Sequence, residues 1–298
     1  MVQVISLPGD PGLGPELARY LGTAYSTFFS KRFPDGEVYI RMVEPVSGDR
    51  VLLVQSMYPS QNDRVVELLL ALEVLERYRN EVVLISPYLA YSRQDKEFLP
   101  GESVSLRSLM KTLSSLGLGT LVTVDAHNPT AVRDFLSGSR YLNVVPVEVF
   151  AEALRGYRTQ ELTVVAPDQG ASERARALAE KLGCNYIVVR KSRDRVTGEV
   201  THSLESLEGL KGVAVVFDDI VSTGGTVASI ASFLTTRGVE VVLAVSHALL
   251  VGKALEKLVR SGVREVYSIP TVPVRIHGVK YLELAQYLAK FLREGGVV

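Results

Sequence analysis

Two stretches of this chain read as copies of one unit. Val51-Leu-Leu-Val-Gln-Ser, a loop, a helical pattern and Glu81-Val-Val-Leu-Ile-Ser share their layout with Val213-Ala-Val-Val-Phe-Asp, a loop, a helical pattern and Glu240-Val-Val-Leu-Ala-Val. Each apolar run is continuous rather than alternating, so it reads as a strand covered on both faces, the pattern of a parallel sheet. Candidate strands at 51–55, 82–86, 121–125, 162–166, 186–190, 213–217 and 239–246 alternate with helix-like segments. Val65, Leu68, Leu69, Leu72 and Leu75 recur at helical spacing in 64–78, as Ala175, Leu178 and Leu182 do more weakly in 172–182. The expected fold is α/β, with two related domains at 1–145 and 146–298, each a mainly parallel sheet flanked by helices. A length of 298 residues suits two domains, each with its own core.

The two copies differ in the loop after the first strand. Residues 213–217 lead into Asp218 and Asp219, then Ser222, Thr223, Gly224, Gly225 and Thr226, with a helical pattern over 226–237. Such a turn lies at the carboxyl end of a strand, where open α/β sheets bind ligands. It also opens a helix, where free N–H groups and the dipole favour an anion. Gly224 and Gly225 carry no side chain to hold a phosphate off the backbone, and Ser222, Thr223 and Thr226 add hydroxyl donors. Asp218 and Asp219 suit the vicinal hydroxyls of a ribose, or a hydrated cation. Read for structure alone, these residues would cap a helix and line a solvated turn. Read for chemistry, they form a sugar phosphate site. The matching loop of the first copy, Met57-Tyr-Pro-Ser-Gln-Asn-Asp, has neither the carboxylate pair nor Gly-Gly. That copy has the fold without the site.

Composition narrows the partners. Lys plus Arg and Asp plus Glu each total 33, so no global field points to nucleic acid or an anionic membrane, and phosphate binding must be local. Cys184 is the single cysteine, in an apparent helix-to-strand turn, which excludes an internal disulfide and a cysteine-based zinc site. The longest apolar stretch, 239–251, is broken by Ser246 and His247 and is too short for a bilayer. The N-terminus enters a strand-like segment with no basic and apolar leader, so a soluble, cytoplasmic protein is expected.

Other strand ends carry candidate chemistry. Phe33, Asp35 and Glu37 surround Pro34 and Gly36; a ring beside acceptors suits adenine, and the same residues suit a hairpin turn equally well. Past 82–86, Arg93 offers a planar fork for phosphate and Gln94 can bond to ribose or base, where a solvated loop is the default. Asp125 and His127 end another strand; the acid can simply orient the imidazole, an unusual ligand for a hard cation. Asp168, in Pro-Asp-Gln-Gly, can cap the helix that follows. Arg190, Lys191, Arg193 and Arg195 crowd cations into 189–195. Such a segment is usually solvated, yet phosphoryl transfer needs cations that neutralise charge between attacking and leaving oxygens, on a segment able to close. No Gly-x-x-x-x-Gly-Lys-Ser/Thr occurs, which excludes a P-loop kinase. The glycine-rich 8–14 reads as a turn into a helix near Pro15, and His202, His247 and His277 are isolated from one another and carry no assignment.

Together these strings resemble a known family. Asp-Asp, two residues and Ser-Thr-Gly-Gly-Thr look like the phosphoribosyl diphosphate loop shared by phosphoribosyltransferases and ribose-phosphate pyrophosphokinases. Phe-x-Asp-Gly-Glu, Pro-Tyr-x-x-Tyr-x-Arg-Gln-Asp, Asp-x-His, Pro-Asp-x-Gly and Lys-x-Arg stand in the order of the pyrophosphokinases. Two related domains with one phosphate loop also resemble that family, since a phosphoribosyltransferase typically needs one such domain. The resemblance, to archaeal-type members in particular, implies two phosphoribosyltransferase-like domains. It implies transfer of the diphosphoryl group of magnesium-bound ATP to the C1 hydroxyl of ribose 5-phosphate, giving phosphoribosyl diphosphate and AMP. Phe33, Asp35 and Glu37 are implied to contact adenine, generally across a subunit interface of a homo-oligomer, with Arg93 and Gln94 as further nucleotide ligands. His127 and Asp168 are implied as magnesium ligands, and Lys191 and Arg193 as the cations that stabilise the transition state, with Arg193 also beside ribose 5-phosphate. Asp218 and Asp219 would hold the ribose hydroxyls, and Ser222, Thr223, Gly224, Gly225 and Thr226 the 5-phosphate. Many members have Asp where this chain has Ser222; a hydroxyl still binds phosphate but cannot act as a base or cation ligand. A phosphoribosyltransferase would use the loop without the nucleotide segments, and a silent regulatory homologue would have lost catalytic residues, whereas Lys191, Arg193, His127 and Asp168 are present.

Overall fold

The continuous apolar runs become buried parallel strands. The structure, a computed structural model, describes residues 1–159, 161–193 and 200–298, with side chains outside 158–160 and 191–203. One unit comprises Met1–Val144, Pro270–Val274 and Leu284–Val298, and the other Val145–Ile269 and Arg275–Glu283. In the first, the chain runs through β1 (Val2–Ser6), α1 (Leu13–Leu21), β2 (Ala24–Arg32), β3 (Val38–Met42), β4 (Arg50–Val54) and α2 (Gln61–Arg77). It continues through β5 (Glu81–Ser86), α3 (Ser105–Ser115), β6 (Thr120–Val124), α4 (Pro129–Phe135) and β7 (Arg140–Val144). The sheet order is β3-β2-β1-β4-β5-β6-β7, with β2 and β3 antiparallel and the other pairs parallel.

The second unit contains α5 (Val147–Ala153), β8 (Leu162–Ala166), α6 (Ser172–Leu182), β9 (Asn185–Val188), and an antiparallel pair β10 (Arg190–Arg193) and β11 (Val200–Ser203). It continues through β12 (Val213–Val221), α7 (Gly225–Thr235), β13 (Glu240–Ala248), α8 (Ala254–Arg260), β14 (Val263–Ser268) and β15 (Val279–Tyr281). Its parallel sheet has the order β15-β14-β13-β12-β8-β9. Read from the other edge, that order matches β2-β1-β4-β5-β6-β7 strand for strand. The repeat seen around Val51 and Val213 therefore extends across both sheets. Leu53, Leu84, Leu113 and Leu121 centre one core, and Val165, Val216, Ile230, Leu243 and Leu258 the other. Each such side chain contributes about 1.5–3 kcal/mol when fully buried. The rings of Phe150 and Phe217 meet at 5.0 Å between centroids within the second unit.

Three boundaries differ from the sequence expectation. The strand from Val213 continues through Asp218 and Asp219 to Val221, because pairing with β13 persists to Val221 and Ala248. The single strand expected at 186–190 is broken at Val189, which is buried, its N–H donating to the Ala166 carbonyl at 2.9 Å, before β10 begins. The third concerns α9 (Ala285–Glu294), assigned by sequence order to 146–298 but packed in the first unit. Its buried stripe is Ala285, Leu288, Ala289 and Leu292. Arg50 and Arg140 donate to the carbonyls of Val297 and Gly295 at 2.8 and 2.6 Å, and Arg293 to that of Tyr20 at 2.7 Å. Cys184 lies in the turn between α6 and β9, half-buried and unbridged. No helix among the described residues is long and apolar enough to cross a membrane.

Glu265 on β14 joins three elements of the second unit. It accepts from Tyr157 Oη at 2.8 Å, from Lys280 Nζ at 2.7 Å and from Tyr267 Oη. Burial alone would raise its pKa, but the bonds from Lys280, Tyr267 and Tyr157 outweigh it and lower the carboxyl from 4.5 to about 2. A carboxylate depressed on folding contributes stability above the unfolded value and loses it as pH falls through the folded one. Thermal unfolding of Glu265→Gln should therefore lie below the parent at pH 6, with the gap narrowing below pH 4.5 and closing near pH 2. A gap independent of pH would contradict this.

Candidate active site

In each sheet the chain leaves the first strand to one side and returns on the other, so a topological switch point lies between β8 and β12, and between β1 and β4. Ligands of open α/β sheets sit outside the strand ends at such points. In the second unit the crevice is flanked by Pro167-Asp168-Gln169-Gly170 after β8 and by 218–226 at the end of β12. Gly224 precedes α7 with φ 70°, a left-handed conformation that favours glycine, and a Cβ there would stand 3.3 Å from Leu258. It gives α7 no side-chain cap. A Cβ on Gly225 would meet nothing within 4 Å, so the space above these amides is open. The loop is held from behind: Leu250 and Val251 N–H donate to the carbonyls of Val221 and Ser222 at 3.0 and 2.9 Å, and Lys257 Nζ to that of Thr223 at 3.0 Å. Such a helix start, with the Lys257 cation at its rim, suits an anion.

The carboxylates are bridged by Arg174 of α6. Its Nη1 lies 2.7 Å from Asp219 Oδ1 and 3.7 Å from Asp218 Oδ1, with 10% of the arginine side chain exposed. Asp218 Oδ1 also accepts from the Asp219 N–H at 3.0 Å. Burial, then the Asp219 carboxylate, push the Asp218 pKa well above the carboxylate range; Arg174 opposes them and Asp168 adds to them. Asp168 does cap the next turn, accepting from Gly170 N–H at 2.9 Å and Ala171 N–H at 3.3 Å. Sequence reasoning missed Arg174, although its place one residue before Ala175 on the stripe of Leu178, Ala179 and Leu182 marked it as inward-facing.

At the equivalent place in the first unit a side chain ties the two strand ends together. Gln55, fully buried at the end of β4, accepts from the Gly9 N–H at 2.9 Å, and its Nε2 donates to the Arg64 carbonyl at 3.2 Å. Nucleotide candidates instead gather beyond β5 and β6. Arg93 is exposed and Gln94 half-buried. Asn128, next to the exposed His127, donates to Asp95, tying the 93–95 loop to the 125–128 turn. Phe33, Asp35 and Glu37 form the turn of an antiparallel hairpin, as the structural reading allowed. Phe33 N–H donates to Glu37 O at 2.8 Å, and Arg32 fixes the turn through Gly36 O at 3.1 Å while pairing with Asp63 on α2. Phe33 packs edge to face on Tyr39 at 5.9 Å, with Lys31 Nζ 4.6 Å from its ring centre. Lys191 and Arg193 have strand backbones in β10, but their side chains lie outside the described residues.

Magnesium takes oxygen ligands, commonly one or two carboxylates completed by phosphates and water. Asp168 and Asp219 lie close enough to the buried Asp218 carboxyl to raise its pKa, with Arg174 paired to Asp219 and opposing them. Among the described residues no cluster of three or more His, Cys, Asp or Glu side chains suits a metal. As single candidate ligands for magnesium, the Asp168 carboxylate is a better match in chemistry than the His127 imidazole.

Fold and loop together define an enzyme built on two phosphoribosyltransferase-like units. Residues 2–117 match the family model described as the N-terminal domain of ribose phosphate pyrophosphokinase, and 147–284 the phosphoribosyl transferase domain. Ribose-phosphate pyrophosphokinase of Sulfurisphaera tokodaii is 34% identical over 94% of this chain and 96% of the relative. That of Thermococcus kodakarensis is 37% identical over 83% and 86%. The crystal structure of phosphoribosylpyrophosphate synthetase from Mycobacterium smegmatis superposes with a TM-score of 0.86, at 26% identity and 99% coverage of both chains. The chain belongs to the ribose-phosphate pyrophosphokinase family.

Proposed function

We propose that this enzyme transfers the diphosphoryl group of ATP to ribose 5-phosphate. The observation that carries the reading is the asymmetry between the switch points: the second has paired carboxylates and helix amides with no side-chain cap, whereas at the first Gln55 bonds to the Gly9 N–H. Ser222, Thr223, Gly224, Gly225 and Thr226 bind the 5-phosphate, and Asp218 and Asp219 accept from the ribose hydroxyls. Ribose O1 bonds to the β-phosphorus as the bond from that phosphorus to the bridging α-oxygen breaks. AMP leaves with that oxygen, and the hydroxyl proton passes to solvent. Magnesium, when bound with Asp168 among its ligands, supplies neutralisation of phosphate charge. Lys191 and Arg193 stabilise the charge between attacking and leaving oxygens, and the family resemblance assigns Arg193 to the sugar phosphate as well. Arg93 and Gln94 bind the nucleotide, and His127 is a magnesium ligand on the family resemblance.

Phe33, Asp35 and Glu37 hold adenine of a neighbouring subunit in a homo-oligomer; support comes from the exposure of the hairpin's rings, Phe29, Phe33 and Tyr39. Incubation with ATP, magnesium and ribose 5-phosphate should release AMP only when the sugar is present. Nucleotide binding without sugar-dependent AMP would reject the reading. Consumption of phosphoribosyl diphosphate with a nucleobase, in place of its synthesis, would mark a phosphoribosyltransferase.

A further inference from the structure

We propose that Asn128 is a positioning residue that locks the nucleotide loop to the His127 turn. The inference rests on the reading that Arg93 and Gln94 bind ATP. Asn128 caps α4: its Oδ1 accepts from the Ala131 N–H at 3.1 Å. An amide whose oxygen is committed in this way must present its nitrogen elsewhere, and Nδ2 donates to Asp95 Oδ2. One short side chain, held at both ends, thus fixes Asp95 relative to the first turn of α4.

Both partners sit in backbone that is already constrained. Gln94, next to Asp95, donates its N–H to Tyr91 O at 2.9 Å and accepts from the Leu106 N–H at 3.2 Å. On the other side Asp125 has φ 43°, donates its N–H to Val144 O at 2.8 Å, and precedes Ala126, whose N–H donates to Asn143 Oδ1 at 2.9 Å. The 93–95 loop is thus anchored to Tyr91 and α3, and the 125–126 turn to β7. The bond between Asn128 and Asp95 is the side-chain link that carries the spacing from one to the other. A ligand spanning Arg93, Gln94 and the His127 turn would find that spacing set in advance, and prior ordering strengthens binding without a new contact.

Asn128→Asp separates positioning from capping. An aspartate keeps the acceptor for Ala131 and is at least as good a cap, but it removes the donor and sets two carboxylates together. On the full chain, the unfolding midpoint should fall only modestly, since the cap is kept while the bond to Asp95 is replaced by repulsion between two carboxylates. Calorimetric affinity for magnesium–ATP should fall about tenfold, the worth of one charge-assisted hydrogen bond, while that for ribose 5-phosphate is unchanged. Amide exchange at 92–96 should accelerate without ligand. The double variant Asp95→Asn with Asn128→Asp exchanges donor and acceptor and should restore most of the affinity and protection.

Parental ATP affinity and exchange in Asn128→Asp would overturn the proposal. So would equal losses for both ligands, or a double variant that recovers neither quantity. A parent chain that binds ATP but makes no AMP rejects the function and leaves the coupling to be judged on these affinities. If the parent does not bind ATP, exchange at 92–96 decides it.

Discussion

Arg174→Met is expected to destabilise the protein at pH 7 by about 3–5 kcal/mol, the usual consequence of leaving buried charges without their partner. Asp219 and Arg174 are 5% and 10% exposed and 2.7 Å apart, so neither relaxes into water when the other is removed. The loss should shrink as pH is lowered toward 5. Asp218 already has a raised pKa through burial and the Asp219 carboxylate, and without Arg174 it takes up a proton more readily. Arg174→Lys keeps the charge but not the fork, and should fall between the two. Urea unfolding at pH 7 and pH 5 checks this. A loss below about 1 kcal/mol at pH 7 would mean that the guanidinium is dispensable.

Asp218→Asn is expected to move stability and function in opposite directions. A raised carboxyl pKa means that folding costs more once the group is ionised, so the penalty is absent at low pH and complete above the folded pKa. An amide removes that penalty and can still accept from the Asp219 N–H. The variant should gain about 0.5–2 kcal/mol at neutral pH, the range typical when strained active-site groups are replaced. Its affinity for ribose 5-phosphate should fall about tenfold or more, as expected when one of two carboxyl groups that accept from the ribose hydroxyls is replaced. Unfolding and calorimetry on one preparation would measure both. A variant that binds ribose 5-phosphate like the parent would remove Asp218 from the sugar site.

Much of the fold was legible because a strand covered on both faces must be apolar along its whole length. The runs at Val51, Val82, Leu121, Leu162 and Val213 announced β4, β5, β6, β8 and β12 in this way. The repeat of strand, loop and helix exposed the duplication. The return of α9 to the first unit was not legible, since an amphipathic stripe says that a face is buried but not against what. The candidate phosphate loop stood out in the sequence because the chemistry argued for it is local: glycines, hydroxyls and carboxylates within nine residues, 218–226, at a strand end. Arg174 and Asn128 were not singled out. Their roles depend on partners 44 to 45 and 33 residues away in the chain, and no local pattern names such partners.

The proposed reaction makes a specific division of labour: the second unit would hold the acceptor sugar, and ATP would donate its outer two phosphates together. Phosphorus NMR of the chain with ATP labelled at the β-position, magnesium and ribose 5-phosphate tests this directly. The label should move to a diphosphate attached at C1 of the ribose, with AMP appearing in equal amount. Label retained in ADP, with a single phosphate reaching the sugar, would contradict it.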